Sequence, residues 1–265
     1  MCPRLDWMNM RSFFEAISVS CVIPAQSPAD DERTVFENLS FAVERGEIVD
    51  LVGPSGSGKS SLLTACARLN PHAHGAFALE GKGSGEFTPQ QWRRDVAYLP
   101  QKPILTGKNV AEAIRLPWTL AIRGKGGKGE HLLPDERIRT TLDAMGCEDI
   151  DLERAPHDLS GGQAQRVVIA RAIINEPKVI LADEPMSAID VAARIQILDT
   201  FAAIRAARPS TAIIMVSHDL GVVQHIADRI LVLHDGRLEE TGSTAEVLGN
   251  PQSDYTRQLI EAASL

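Results

Sequence analysis

The sequence predicts an α/β fold, a parallel sheet covered by helices, on three observations. An apolar run, Ile48-Val49 and Leu51-Val52, leads into Gly53-Pro54-Ser55-Gly56-Ser57-Gly58-Lys59-Ser60, and a helical run follows from Ser61 to Leu69. Short continuous apolar segments recur at Val179 to Ala182, Ala212 to Val216 and Ile230 to Leu233, as strands buried on both faces read. Helical segments alternate with them at Gly162 to Ile174, Val191 to Ala207 and Leu220 to Ile226.

The remaining elements follow in chain order. Ile17 to Ile23 and Leu39 to Val43 alternate as strands, with a polar loop from Pro24 to Arg33 between them and a turn at Arg45-Gly46. Asp50 interrupts the apolar strand before the glycine loop. A carboxylate there is costly unless paired, so it lies either where a small N-terminal sheet meets the core or beside a partner that the sequence does not identify. Ala76 to Leu79 and Val96 to Leu99 read as strands around a glycine-rich turn, Gly81 to Gly85. From Asn109 to Cys147 the pattern is helical. Asn109 serves as N-cap of a helix that runs through Leu116 until Pro117, and a second helix spans Asp135 to Met145 with Gly146 as its stop. Arg123 to Gly129, basic and glycine-rich, reads as a mobile surface loop.

Composition narrows the class. The chain has 265 residues, 44% hydrophobic and 23% charged, with a formal net charge of -8. Such a chain buries a sizeable core, and its acidic balance argues against diffuse attraction to nucleic acid or anionic lipid. No apolar run approaches the roughly 18 residues of a membrane span, and Asp6, Asn9, Arg11 and Glu15 interrupt any secretory apolar core. Residues 1–12 are read as an unstructured extension and 13–265 as one domain. Four cysteines (Cys2, Cys21, Cys66, Cys147) form no metal-ligand spacing and read as reduced thiols.

Gly53 to Ser60 fills every fixed place of the phosphate-loop (P-loop) pattern G-x-x-x-x-G-K-[ST], with strand and helix in their proper places. Its small residues let successive N–H groups point at an anion, the helix N-terminus adds partial positive charge, and Lys59 adds a full one. Ser60 can place its hydroxyl on a Mg²⁺ that bridges two phosphates. Val179 to Ala182 ends in the adjacent acids Asp183 and Glu184, which point different ways along a strand. Asp183 suits the Mg²⁺ shell and Glu184 the polarising of an attacking water. Leu159-Ser160-Gly161-Gly162-Gln163 forms a second anion cradle at a helix mouth. Two phosphate-gripping devices with one set of Mg²⁺ ligands point to a site shared between two copies.

Gly53 to Ser60, Tyr98-Leu99-Pro100-Gln101, Leu159 to Gln163, Val179 to Glu184, Ser187-Ala188-Ile189-Asp190 and Ser217-His218-Asp219 stand in an order that resembles the ATPase subunits of ATP-binding-cassette (ABC) transporters. The likeness covers the chain from about Ile17 onward. It implies a P-loop parallel-sheet core, an N-terminal antiparallel β subdomain and a helical signature subdomain at about 102–176. It also implies a head-to-tail dimer with a second ABC ATPase subunit, identical or homologous, enclosing two ATP molecules. Gly53, Pro54, Ser55, Gly56, Ser57, Gly58, Lys59, Ser60 and Ser61 would hold ATP in one subunit, and Ser160, Gly161, Gly162 and Gln163 of the other would close over it. Glu184, His218 and Lys59 would be catalytic; Ser60, Gln101 and Asp183 would serve Mg²⁺. Asp190 would act across the dimer interface, and Lys102 to Asn109 would report to the membrane partner. His72, His74, His157, His225 and His234 are read as structural or exposed.

The sequence departs from the family at two places. Cys21 stands where an aromatic residue usually stacks on adenine, leaving Phe36 and Phe14 as candidate replacements, and Met186 stands where threonine is usual. The run from Ala245 to Arg257 is similar to the tails of peptide- and nickel-importer ATPases. The expectation is therefore an ATP-hydrolysing subunit, peripheral on the cytoplasmic side of the cell membrane. Its implied partners are transmembrane permease subunits and a solute-binding protein, with no nucleic acid. A soluble ABC ATPase of DNA repair or ribosomes is the alternative, although that class usually has coiled coils or paired cassettes.

Overall fold

The computed structural model describes residues 12–25, 31–119, 133–187, 189–217 and 220–263. Arg123 to Gly129, Ala188, His218 and Asp219 lie outside the described residues. The chain divides into two compact units: one of residues up to Tyr98 with Lys178–Asp183 and Ser210 onward, the other of Leu99–Pro177 with Glu184–Pro209.

The first unit carries two sheets. Strands β1 (Ser12–Ile23), β2 (Arg33–Glu44), β4 (Ala73–Leu79) and β5 (Lys82–Gly83) form an antiparallel sheet in the order β2-β1-β4-β5. The second sheet has the order β10-β9-β3-β8-β7-β6, with β3 (Ile48–Val52), β6 (Val96–Leu99), β7 (Val179–Asp183), β8 (Ala212–Val216), β9 (Arg229–His234) and β10 (Arg237–Ser243). β3 runs parallel to both β8 and β9, and β7 runs parallel to β8. Every residue of β3, β7 and β8 is buried, which explains their unbroken apolar sequences. Helix α1 (Lys59–Cys66) starts where the loop after β3 ends.

Aromatic packing holds this unit together. Trp92, on α2 (Pro89–Asp95), is fully buried, lies edge-on to Phe87 at 5.4 Å between centroids, and donates its indole N–H to the Cys66 carbonyl at 2.9 Å. Phe14, Phe41 and Phe77 complete the cluster.

In the second unit, α3 (Val110–Thr119), α4 (Asp135–Asp143), α5 (Gly161–Ile173) and α6 (Val191–Ala207) bury Ile114, Ile138, Leu142, Val167, Ile197 and Phe201. Asn109 caps α3, its Oδ1 accepting the Glu112 N–H at 2.9 Å. Pro117 falls inside α3 instead of beyond its end, where it forfeits one backbone hydrogen bond. Helices α7 (Leu220–Ile226), α8 (Thr244–Gly249) and α9 (Asp254–Ala263) belong to the first unit. No helix among the described residues is long and apolar enough to cross a membrane.

Candidate functional site

The loop from Gly53 to Gly58 is shaped by positions that only glycine fills easily. Gly53 has φ +153°, and a Cβ there would lie 2.1 Å from the Leu233 carbonyl oxygen. Gly58 has φ +99°, and its Cβ would meet Val35 at 2.7 Å. With the backbone so pinned, α1 begins at Lys59, whose ammonium folds back to donate to the carbonyls of Gly53 at 2.9 Å and Pro54 at 2.8 Å. Lys59 is only 4% exposed. A cation held along the rim of a glycine loop is poised to exchange carbonyl oxygens for phosphate oxygens.

Ser60 donates its hydroxyl to Asp183 Oδ1 at 2.8 Å, and Tyr98 donates to Oδ2 at 2.9 Å. Burial raises the Tyr98 pKa, and the Asp183 charge raises it further, so the phenol stays protonated as donor. The Ser57 hydroxyl is buried with no hydrogen-bond partner among the described residues, which suits a loop built to receive an anion. A hydroxyl and a carboxylate side by side are the donor set that Mg²⁺ takes when phosphate and water complete its shell. No cluster of three metal-ligating side chains occurs among the described residues. A cavity of about 460 Å³ flanks the loop, lined by Pro54 to Ser57, Val35 and Gly236.

In the second unit Gln101 donates through Nε2 to Glu184 Oε2 at 2.6 Å. Glu184 holds a left-handed backbone, φ +46°, so the chain turns sharply just after Asp183. Ser160 caps α5. Its Oγ accepts the Gln163 N–H at 3.2 Å while Gln163 Oε1 accepts the Ser160 N–H at 3.1 Å. The Ser160 hydroxyl proton is thereby left to donate outward. The Gln163 amide is engaged within the unit, donating to Asp149 at 2.9 Å and accepting from Arg154 at 3.2 Å. Arg166 also grips Asp149, at 3.1 and 3.2 Å. Burial pushes the Asp149 carboxyl up, but these bonds and the Arg166 charge outweigh it, and its pKa lies below the ordinary value. A Cβ on Gly162 would stand 2.7 Å from that of Ala193, so glycine lets α5 press onto α6. Asp190 caps α6, accepting the Ala193 N–H at 2.8 Å.

Two sequence expectations change. Phe14 is 0% and Phe36 1% exposed, so neither presents a face on which a base could stack; both are spent on the core. Cys21 is likewise buried, 3.7 Å from Asn70 Nδ2, and burial raises its thiol pKa despite that contact. Asp50 acquires its partner: Ser217, 167 residues away, donates its N–H to Oδ1 at 3.1 Å and its hydroxyl to Oδ2 at 2.7 Å. Nothing local in the sequence marks that pair. His72, His74, His157 and His225 are exposed, and His234 stacks on Tyr255 at 3.7 Å.

A lysine-bearing glycine loop beside a serine–aspartate pair, on a parallel sheet, defines a phosphate-loop nucleotide-binding domain. The model of the ABC transporter family matches residues 36–187. A Brucella ovis protein assigned as a peptide import ATP-binding protein is 36% identical, covering 86% of this chain and 72% of its own length. The di/tripeptide transport ATP-binding protein DppF of Pseudomonas aeruginosa is 34% identical (86% and 70%), and the oligopeptide transport ATP-binding protein OppF of Haemophilus influenzae 33% (86% and 69%). Among solved structures, the ATP-binding cassette MJ0796, dimeric in a post-hydrolysis state with ADP and Pi, superposes with a TM-score of 0.74 at 27% identity. That match covers 87% of this chain and 98% of the other. The chain belongs to the ABC transporter family and is an ATP-hydrolysing subunit of that family.

Proposed function

We propose that the chain powers import of peptides or similarly sized solutes as one of a head-to-tail pair of ATPase subunits on the cytoplasmic face of a membrane. Transmembrane permease subunits and a solute-binding protein would complete the assembly. The similarity to peptide transport ATP-binding proteins over most of the chain supports the solute class. The dimeric state of the MJ0796 cassette supports the pairing. The observation that carries the chemistry is the Lys59 ammonium held on the loop rim at Gly53 and Pro54, beside a buried Ser57 hydroxyl with no partner among the described residues.

The residues then divide the work. Loop N–H groups and Lys59 bind and orient the triphosphate and neutralise charge as the γ-phosphoryl group transfers to water. Ser60, Asp183 and Gln101 would hold Mg²⁺, which when bound supplies charge neutralisation across the phosphates. Glu184, held by Gln101, orients the attacking water and takes its proton. Ser160, Gly161 and Gly162 of the partner supply further donors, with Gln163 setting the Ser160 hydroxyl in place. His218 fixes the γ-phosphate end.

Affinity purification of the full chain from membranes, with and without ATP, tests this reading. Recovery with multi-span proteins and a peptide-stimulated ATPase supports it. Recovery with ribosomes or DNA instead overturns it.

A further inference from the structure

Asp50 is 0% exposed in the middle of the central strand β3, and the residues beside it in register are Met215 of β8 and Ile230 of β9, both fully buried. Among the described residues, the charged group that acts on it is Lys59 of α1, and the donors that reach it are the two of Ser217. If packing were its only task, an apolar side chain would serve better, since desolvating a carboxylate is expensive. The ladder between β3 and β8 runs from the Ile48–Ile213 pair to Leu51–Val216, and Ser217 is the first residue past it. Where backbone pairing ends, the Asp50 side chain takes over and holds Ser217 at two points.

We propose that Asp50 is a positioning residue for ATP hydrolysis: its two-point grip on Ser217 fixes the residue that precedes His218 in the chain to the strand that leads to Lys59. This rests on the reading above, in which His218 serves the γ-phosphate. The ionised carboxylate accepts both Ser217 donors, and hydrogen bonds to a charged acceptor are the stronger kind. A protonated Asp50 keeps the N–H bond but becomes a donor itself, so the Ser217 hydroxyl must turn round to accept. Burial pushes the Asp50 pKa up to about 7, against the lowering from Ser217 and Lys59, so the change falls near neutral pH.

The test uses the full chain with ATP and Mg²⁺. kcat and KM are measured from pH 6 to 9 for wild type, Asp50→Asn, Asp50→Ala and Ser217→Ala, with Tm as the check on folding. Asp50→Asn mimics the protonated form. Its kcat is expected to fall about fivefold at pH 8, to meet the wild type near pH 6, and to lack the wild type's acid limb. KM should stay within about twofold in every variant, because the loop still holds the phosphates. Asp50→Ala is expected to lose about tenfold in kcat, and Ser217→Ala, which keeps the N–H bond, less. Wild-type kcat in Asp50→Asn at pH 8, or an acid limb shared by the two, overturns the proposal. If Asp50→Ala does not fold, Asp50→Asn and Ser217→Ala still decide. Lys59→Met separates the two readings: retained hydrolysis there sinks the site assignment itself, whatever Asp50 does.

Discussion

Replacing Asp50 by asparagine should remove a pH dependence from the stability of the folded protein. Burial raises the Asp50 pKa from 3.8 to about 7 in the folded protein. Below pH 3.8 the carboxyl is protonated in both states and contributes no pH dependence. Between pH 3.8 and 7 the folded state keeps a proton that the unfolded state releases, so stability falls as pH rises; above 7 the contribution is flat. A shift of about 3 units at about 1.4 kcal/mol each amounts to roughly 4 kcal/mol over that window. This is a large share of the ~5–15 kcal/mol that holds a typical domain together. Asparagine has the same shape and no titration, so the difference between wild type and Asp50→Asn isolates this group from every other carboxylate. Urea unfolding at intervals from pH 5 to 8 is the assay. The wild type should lose about 2–3 kcal/mol relative to Asp50→Asn between pH 5 and 7 and nothing further above. A difference that stays flat, or moves in favour of the wild type as pH rises, refutes the burial argument. The wild type has thus already given up this stability by the pH at which its carboxylate ionises and grips Ser217 most firmly.

Other expected outcomes follow from single contacts. Gly53→Ala forces a Cβ to within 2.1 Å of the Leu233 carbonyl in a left-handed conformation. It should abolish ATP binding by calorimetry; wild-type affinity would contradict the loop geometry. Trp92→Ala empties the aromatic cluster and should cost about 3–5 kcal/mol in urea unfolding. Trp92→Phe keeps most of the volume but strands the Cys66 carbonyl and should cost about 1–3 kcal/mol. Ser160→Ala removes the cap of α5, worth about 0.5–2 kcal/mol, and is expected to cut hydrolysis while leaving single-subunit ATP binding unchanged.

The elements legible in the sequence were those whose burial or spacing forced their composition. β7 and β8 are buried throughout and read as apolar runs, and the loop from Gly53 to Lys59 is spelled by the conformations it needs. β10 was missed because, as an edge strand with sequence Arg-Leu-Glu-Glu-Thr-Gly-Ser, it has no apolar face to display. α2 was missed because its one large apolar residue is Trp92, although Thr88, Pro89 and Gln91 spell a capping box. β1 and β2 were each shortened, since bulges break their alternation at several points. Lys59, Ser60, Asp183 and Ser160 could be singled out as candidates because the patterns that carry them are local in the sequence. The Asp50–Ser217 grip was not, because it joins residues brought together only by the parallel pairing of β3 and β8. Phe14 and Phe36 could not be told from surface aromatics until the core around them was in place.

Glu184→Gln tests the shared-site account most directly. The substitution keeps the size of the side chain and removes the carboxylate proposed to take the proton from water. With ATP and Mg²⁺, light scattering coupled to size exclusion should show a stable dimer retaining two ATP per pair, with turnover nearly abolished. A monomer under saturating ATP, together with hydrolysis at the wild-type rate, would contradict it.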